Sequence, residues 1–499
     1  MSVGTYVGHY VNGDFIYPND EKLFISVSPY NDQVVKLDNI TPEFSNASNS
    51  TVQCAVGCAR MAFWDWRELS RIKRAEYLDT LAQIIKSNIN KLRDTISAET
   101  GKNLNESFAE VNEMLHMIQY SAAQGREPMG RVLASEVAAK ETTVTRKPKG
   151  VVAIISPFNF PAAIGSTWCA GPALLEGNTV VHKCSELTPV TNHLIAKLYD
   201  EAGFPKGVYN LIHGDGQSGK YLVESDVDVI LFTGSAEVGM EIRKHCATKW
   251  NKTASIETGS KSAVIVFEDG DLDLAVEASI ASAFKLTGQR CVSASRILVQ
   301  RSVLDKFKAK FLEKASVITA GNPFDGNHYC GPIITYESLE RVEHYAKMIH
   351  DDQDAKVLLY NKRVAGKGSF FNPMVFECEW NHDKKFLVEE IFGPVVGIIP
   401  FDAVCDAISI HNDTPFGLAA GAITSDSSTA RQLREYLNVG MLYINGGSIA
   451  AESHNLFGGV GKSGNGCKSA AGTYRTVTTE IVTTTNYAKG QLQFAQGLK

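Results

Sequence analysis

Cys291 is the residue whose surroundings most invite chemistry. It follows a helix-like stretch, Leu272 to Leu286, and a Gly-Gln-Arg turn at 288–290, which places its thiol on a turn where two units of the chain would meet. An unperturbed thiol has a pKa of about 8.5 and is only a few per cent thiolate at neutral pH, so a nucleophilic cysteine needs surroundings that stabilise its anion. The competing reading of the same residue is one more buried cysteine among ten. Glu257, 34 positions earlier, lies between TASI and TGS. A carboxylate there is a general base if its surroundings raise its pKa toward neutrality, and a solvated strand-end charge if they do not. No paired C-x-x-C spacing occurs, and Cys54 and Cys58, four apart in an apolar stretch, read as two buried small residues on one helix face rather than as a metal pair. No metal is expected.

The elements that would position these groups follow from hydrophobic periodicity. From about Thr51 to Gln124, Phe63, Trp66, Leu69, Tyr77, Leu78, Leu81, Ile84 and Ile85 recur at helical intervals. From Lys149 short β-branched runs alternate with helical stretches, at 151–156, 178–183, 208–212 and 228–233, which predicts a parallel, helix-covered sheet. A second series follows Cys291, at 296–300, 356–360, 395–401, 419–424 and 440–445. Two Thr-rich segments, 141–147 and 476–487, stand apart, and either would suit pairing at an edge, including another subunit's sheet.

A chain of 499 residues exceeds what one hydrophobic core supports, so two or three units are expected. With 49 basic against 55 acidic residues the net charge is −6, which gives no electrostatic reason to expect nucleic acid or an anionic membrane as partner. Met1 to Asp20 lacks a basic segment followed by an apolar one, so it does not read as a secretory signal. The longest apolar candidate, Val151 to Gly165, is broken by Ser156, Pro157, Asn159 and Pro161, well short of the roughly 20 apolar residues a membrane span needs. Scattered cysteines point to reduced thiols in a soluble, cytoplasmic protein.

Eight motifs occur in one order: FNFP (158–161), GPALLEGNTVVHKCSELTP (171–189), FTGSAEVG (232–239), ETGSK (257–261), GQRC (288–291), EEIFGPV (389–395), NDTPFGL (412–418) and FGGVGKSGNG (457–466). In these motifs and their spacing the chain resembles the aldehyde dehydrogenase superfamily, over nearly its whole length from residue 66 to the tail. The resemblance implies NAD(P)-dependent oxidation of an aldehyde to a carboxylic acid. Cys291 would attack the aldehyde carbon, and the Asn159 amide and the backbone N–H of Cys291 would hold the oxyanion; one such donor is typically worth on the order of 3 kcal/mol. Hydride then leaves for the nicotinamide, and Glu257 activates the water that releases the thioester. On local sequence alone Asn159 is equally a turn residue before Phe160-Pro161.

The same resemblance assigns the cofactor residues. Lys183 and Glu186, just past a strand, would hold the adenosine ribose, and a carboxylate near the 2′-hydroxyl favours NAD over NADP. Ser235 and the helix N-terminal N–H groups would meet the pyrophosphate. Glu390 and Phe392 would hold the nicotinamide ribose and back the ring, with Ser156, Pro157, Phe158, Gly214, Thr233, Gly234 and Thr258 completing the set. There are departures. No G-x-G-x-x-G follows the first strand, itself characteristic of the family; Glu257-Thr258-Gly259-Ser260 stands where Glu-Leu-Gly-Gly is common; and Cys184 replaces a frequent proline.

The expected architecture is α/β: a Rossmann-like parallel-sheet cofactor domain (1–130 and 149–257), a second α/β catalytic domain (258–450) and a small β oligomerisation extension (131–148 and 474–499), assembled as a homodimer or homotetramer. The segment 486–497 and GQRC resemble the branch that includes the α-aminoadipic and succinylglutamate semialdehyde dehydrogenases, which points to an ω-semialdehyde substrate. The stretch 444–459 occupies the place of the family's aldehyde-anchoring loop. Two other readings stand beside the hydrolytic dehydrogenase: a CoA-acylating enzyme, which by family resemblance would lack Glu257, and a non-catalytic protein that kept the fold.

Overall fold

The computed structural model of the chain describes residues 5–360 and 366–494; positions 495–497 of the tail motif lie outside the described residues. Two seven-stranded sheets dominate. In the first, five neighbouring strands run in the order Thr253–Glu257, Val229–Thr233, Val151–Ile155, Thr179–Lys183 and Tyr209–Ile212, all parallel. Its β-branched strands are buried along almost their whole length, as a sheet covered by helices on both faces requires. Chain order runs outward in both directions from Val151–Ile155, so the topology reverses there, and α/β sheets bind ligands outside the strand carboxyl ends at such a point. An N-terminal hairpin, His9–Val11 with Asp14–Ile16, adds two antiparallel strands at the far edge, which the periodicity does not predict because each is only three residues long.

The predicted helical lead-in is four helices, Asn49–Glu68, Arg71–Ser87, Ile89–Thr100 and Leu104–Ala123. Three begin at side-chain caps: Ser48 accepts from the Thr51 N–H, Ser70 from Lys73 and Asn103 from Glu106. Trp66 is buried and donates its indole N–H to the Leu174 carbonyl at 3.0 Å, joining the first helix to the short helix Ala170–Leu175. The cysteine reading needs correction. Cys58 is half-buried but Cys54 is exposed, because the side of the helix carrying Cys54 also carries exposed Met61 and Trp64.

The second sheet has the order Lys356–Tyr360, Met374–Glu377, Val395–Phe401, Ala294–Gln300, Ser262–Val266, Ala419–Ile423 and Met441–Ile444. Six of these strands are parallel; Lys356–Tyr360 is an antiparallel edge. Two of them, Ser262–Val266 and Met374–Glu377, were not in the predicted series. Both are short apolar runs, and the first begins only four residues after the preceding strand ends at Glu257. The two Thr-rich segments find each other: Lys140–Pro148 pairs antiparallel with Thr478–Asn486 over nine positions, and Gly130–Leu133 covers the other side of Lys140–Pro148.

After the Val151–Ile155 strand the chain turns through 156–160 into a wide turn of π-helix, Ile164–Cys169, and then Ala170–Leu175. Glu110, from the fourth helix, accepts the Ala162 and Ala163 N–H groups at 2.8 and 3.2 Å and pairs with the Lys102 ammonium, all of them buried. One carboxylate thus fixes the segment that begins at Asn159. Glu110→Ala leaves that ammonium buried without a partner, an expected loss of about 3–5 kcal/mol. Scanning calorimetry should show the first unfolding transition at a clearly lower temperature; an unchanged transition would contradict this role.

Candidate active site

Glu257 ends the first sheet and Ser262 begins the second, so Thr258–Lys261 is the crossing between them. All four residues are buried. Thr258 donates its N–H to the Ser463 carbonyl at 3.0 Å and its hydroxyl to the Lys462 carbonyl. The Ser260 hydroxyl donates to the carbonyl of Cys291 and lies 2.8 Å from the Ser262 hydroxyl. Thr258 and Ser260 are the two positions at which this chain departs from Glu-Leu-Gly-Gly, and both departures supply hydroxyls that tie the crossing to its neighbours.

Cys291 is half-buried at the end of a segment held in an unusual conformation. Leu286, Thr287 and Gly288 have φ of +56°, +53° and +70°. Non-glycine residues in the left-handed region cost energy and persist only where neighbours over-determine them. Here Glu106 accepts the Leu286 N–H at 2.6 Å, Thr287 donates to Gly331 at 3.0 Å, and Gln289 bonds Pro332 and Ile334 at 3.1 and 2.9 Å. Asn159 donates its amide to the Gln289 carbonyl at 2.9 Å, two residues before Cys291. An amide nitrogen carries two hydrogens, so one is left for a further acceptor.

The electrostatics are those of a buried site. Burial pushes the Cys291 thiol up to about 12, with the Glu390 and Glu257 carboxylates adding to the rise and Arg290 opposing it. These residues alone do not supply the thiolate-stabilising surroundings expected of a nucleophile. Burial also raises Glu257 well above the usual carboxylate range, against the Gly459 N–H that reaches its Oε2 at 3.3 Å and the charge of Lys468. Its Oε1 is buried without a hydrogen-bond partner, and a methyl group on Gly458 would collide with it. Cys291 packs against an apolar cluster of Met117, Trp168, Val292 and Phe457, with the Tyr120 and Tyr443 rings against the same cluster.

The expected cofactor residues line one edge. Ser156, Lys183, Gly214, Thr233 and Thr258 end or follow the five parallel strands, whose registers align Ile155 with Lys183, Lys183 with Ile212, and Thr233 with Glu257. Ser156 hydrogen-bonds His182 at 2.7 Å and so supports the edge from beneath. Lys183 is buried and reaches exposed Glu186 at 3.2 Å; Cys184, in the place of proline, is buried with its sulfur 3.5 Å from His213. Ser235 caps the helix Ala236–Ala247. Gly234 follows Thr233 without a side chain, and from the second sheet's side Phe392, at φ +58°, sets its ring edge-on to Phe158 at 6.0 Å. Pro157 precedes that ring. Glu390 accepts the Ser260 N–H at 2.8 Å and is pushed up to about 7 by burial. Between the sheets lies a cleft of about 810 Å³ lined by Ser235, Gly239, Thr258, Arg341 and Glu390, within the usual range for ligand sites of about 300–1,000 Å³.

Residues 15–483 match the model of the aldehyde dehydrogenase family. This chain belongs to that family. An aldehyde dehydrogenase of Emericella nidulans is 34% identical over 98% of the chain and 96% of the relative. An alpha-ketoglutaric semialdehyde dehydrogenase of Bacillus subtilis is 32% identical over 92% of the chain and 93% of the relative. The crystal structure of betaine aldehyde dehydrogenase from Staphylococcus aureus in complex with NAD+ superposes with a TM-score of 0.91 at 29% identity, covering 99% of this chain and 97% of that one. The protein is an NAD(P)-dependent aldehyde-oxidising enzyme of mixed α/β fold.

Sequence reading of this dehydrogenase missed Trp168, Met117, Lys468 and the Gly458–Gly459 cradle of Glu257. The cradle is the start of the motif FGGVGKSGNG at 457–466, whose glycines signal a close backbone approach. Met117 and Trp168 carry no local signal, since only tertiary packing brings them to Cys291. Gly288 presses the cysteine loop against the 389–395 loop: a methyl group there would meet the Gly393 carbonyl oxygen at a φ that disfavours side chains. Gly288→Ala should therefore displace both loops and lower the turnover of NADH formation about 10- to 100-fold. Wild-type turnover in this variant would contradict the packing described.

Proposed function

We propose that this enzyme oxidises an aldehyde to its acid with NAD, using Cys291 as nucleophile, Asn159 as oxyanion donor and Glu257 as general base. The observation that carries the reading is the link through Ser260. The tetrapeptide that starts at Glu257 holds the carbonyl of Cys291, so base and nucleophile, from different sheets, share one rigid support. The Asn159 amide and the Cys291 N–H supply the two donors an oxyanion needs. When bound, NAD supplies the hydride acceptor. Lys183 and Glu186 at the strand edge, the Ser235 helix N-terminus and Glu390 with Phe392 supply the cation, N–H groups and carboxylates that a dinucleotide calls for, and Glu186 favours the free 2′-hydroxyl of NAD.

Glu257 suits deacylation by water rather than by CoA. A buried carboxylate of raised pKa is a stronger base than an exposed one, and its Oε1, without a protein partner, is free to accept a water hydrogen. The substrate reading is an aldehyde with a charged far end, in keeping with an ω-semialdehyde. Arg290, next to Cys291, lies over Phe160 at 5.2 Å with its buried Nε unpartnered, which suits an anionic far end, and one relative is named for alpha-ketoglutaric semialdehyde.

Assembly as a homodimer or homotetramer rests on the outer edge of Thr478–Asn486, which has no strand partner among the described residues and leaves Val482 64% exposed. A cytoplasmic location rests on ten free thiols. No helix among the described residues is long and apolar enough to cross a membrane.

Glu257→Gln keeps the size of the side chain and removes its basicity. Hydride leaves before deacylation, so the variant should give a first-turnover burst of NADH with a panel of aldehydes and then stall. Steady-state turnover should fall at least about 100-fold while the burst stays near that of the wild type. Normal steady-state turnover, or a wild type that needs CoA, would overturn the hydrolytic reading.

A further inference from the structure

The general-base reading leaves an electrostatic problem. Glu257 is buried among groups that do not stabilise its anion: Cys169 from the turn of π-helix and Cys291 from the catalytic loop are both thiols pushed up to about 12, hence uncharged at neutral pH, and Glu390 beyond Gly259 is a second carboxylate. Among the described residues one cation, Lys468, acts on it. Lys468 is half-buried, and its ammonium donates to the Gly458 carbonyl, with the Gly440 carbonyl at 3.5 Å. Gly458 packs against Glu257 Oε1, and the next residue, Gly459, donates its N–H to Oε2. The lysine is thus anchored on the same two-residue loop that wraps the carboxylate.

We propose that Lys468 is a positioning residue for deacylation: its charge, fixed on the Gly458 carbonyl, favours the anion of Glu257, the form that takes a proton from water. This rests on Glu257 being the base. Lys468 is not itself the proton acceptor, because its amino group is turned to the Gly458 carbonyl and touches no reacting atom. Burial lowers the pKa of Lys468 while Glu257 raises it, so each charge supports the other. Removing the lysine charge therefore raises the pKa of Glu257 further, and the ionised fraction at a given pH falls.

The test separates acylation from deacylation without the cofactor. With 4-nitrophenyl acetate the Cys291 thiolate displaces nitrophenolate to form an acetyl thioester, and water then releases acetate and restores the thiol. The nitrophenolate burst reports the first step, and decay of the acetyl-enzyme across pH 5–9, a range spanning about two units either side of neutrality, reports the second. Lys468→Met removes charge and hydrogen bond, Lys468→Gln keeps a donor without charge, and Lys468→Arg keeps the charge.

In the Met and Gln variants the rising limb of the deacylation profile should move up by about one pH unit, a fall of about tenfold at pH 7, with the burst unchanged. The Arg variant should follow the wild type. A limb that stays in place in Met and Gln, even with slower rates at every pH, overturns the proposal and makes Lys468 merely structural. A limb that persists in Glu257→Gln instead shows that Glu257 is not the base, and the proposal falls with that reading.

Discussion

Between Glu257, the last residue of one sheet, and Ser262, the first of the next, four buried residues carry the chain across the molecule, and almost every group of the site leans on them. Lys261 buries an ammonium that donates to the Phe386 and Glu389 carbonyls at 2.8 and 2.7 Å, immediately before Glu390 and Phe392. Arg296, fully buried, donates twice to the Lys261 carbonyl and once to Ile410, with its guanidinium over Trp380 at 5.4 Å. Buried cations without partners are prohibitively costly, so these bonds leave the crossing little freedom. Ser260 then passes that rigidity to Cys291 and Glu390.

Strain is the second consequence. A loop with three consecutive left-handed residues does not form by local preference, and it holds only because Glu106 reaches it from the helical layer while Gln289 and Thr287 are tied to 331–334. The Cys291 loop therefore depends on the same helix, Leu104–Ala123, whose Glu110 fixes the segment starting at Asn159. Asn159 and Cys291, the proposed oxyanion donor and nucleophile, thus depend on two carboxylates one turn apart on the same face of one helix, and the apolar cluster packed against Cys291 includes Met117 and the Tyr120 ring from further along it.

Much of this is legible in the residues. β-branched runs placed the first parallel sheet and most of the second, and the eight motifs pointed to the strand ends, the Ser235 helix start and the Glu257 and Cys291 loops. What escapes is set by tertiary packing. Ser262–Val266 is too close to the preceding strand to be separated by periodicity. The antiparallel direction of Lys356–Tyr360 depends on which edge its neighbours leave open, and the Thr-rich strands choose each other because they are the two long unpaired edges in reach. Lys468 reads as a surface lysine until the loop at 457–459 brings it beside Glu257.

The central claim is that Cys291, and none of the other nine cysteines, carries the acyl group while Glu257 removes it. Peptide mass mapping of Glu257→Gln, quenched in acid after mixing with NAD and an aldehyde it oxidises, tests this directly. The account predicts one acyl adduct on the peptide containing Cys291. An adduct on another cysteine, or burst NADH with no acyl-enzyme at all, would contradict it.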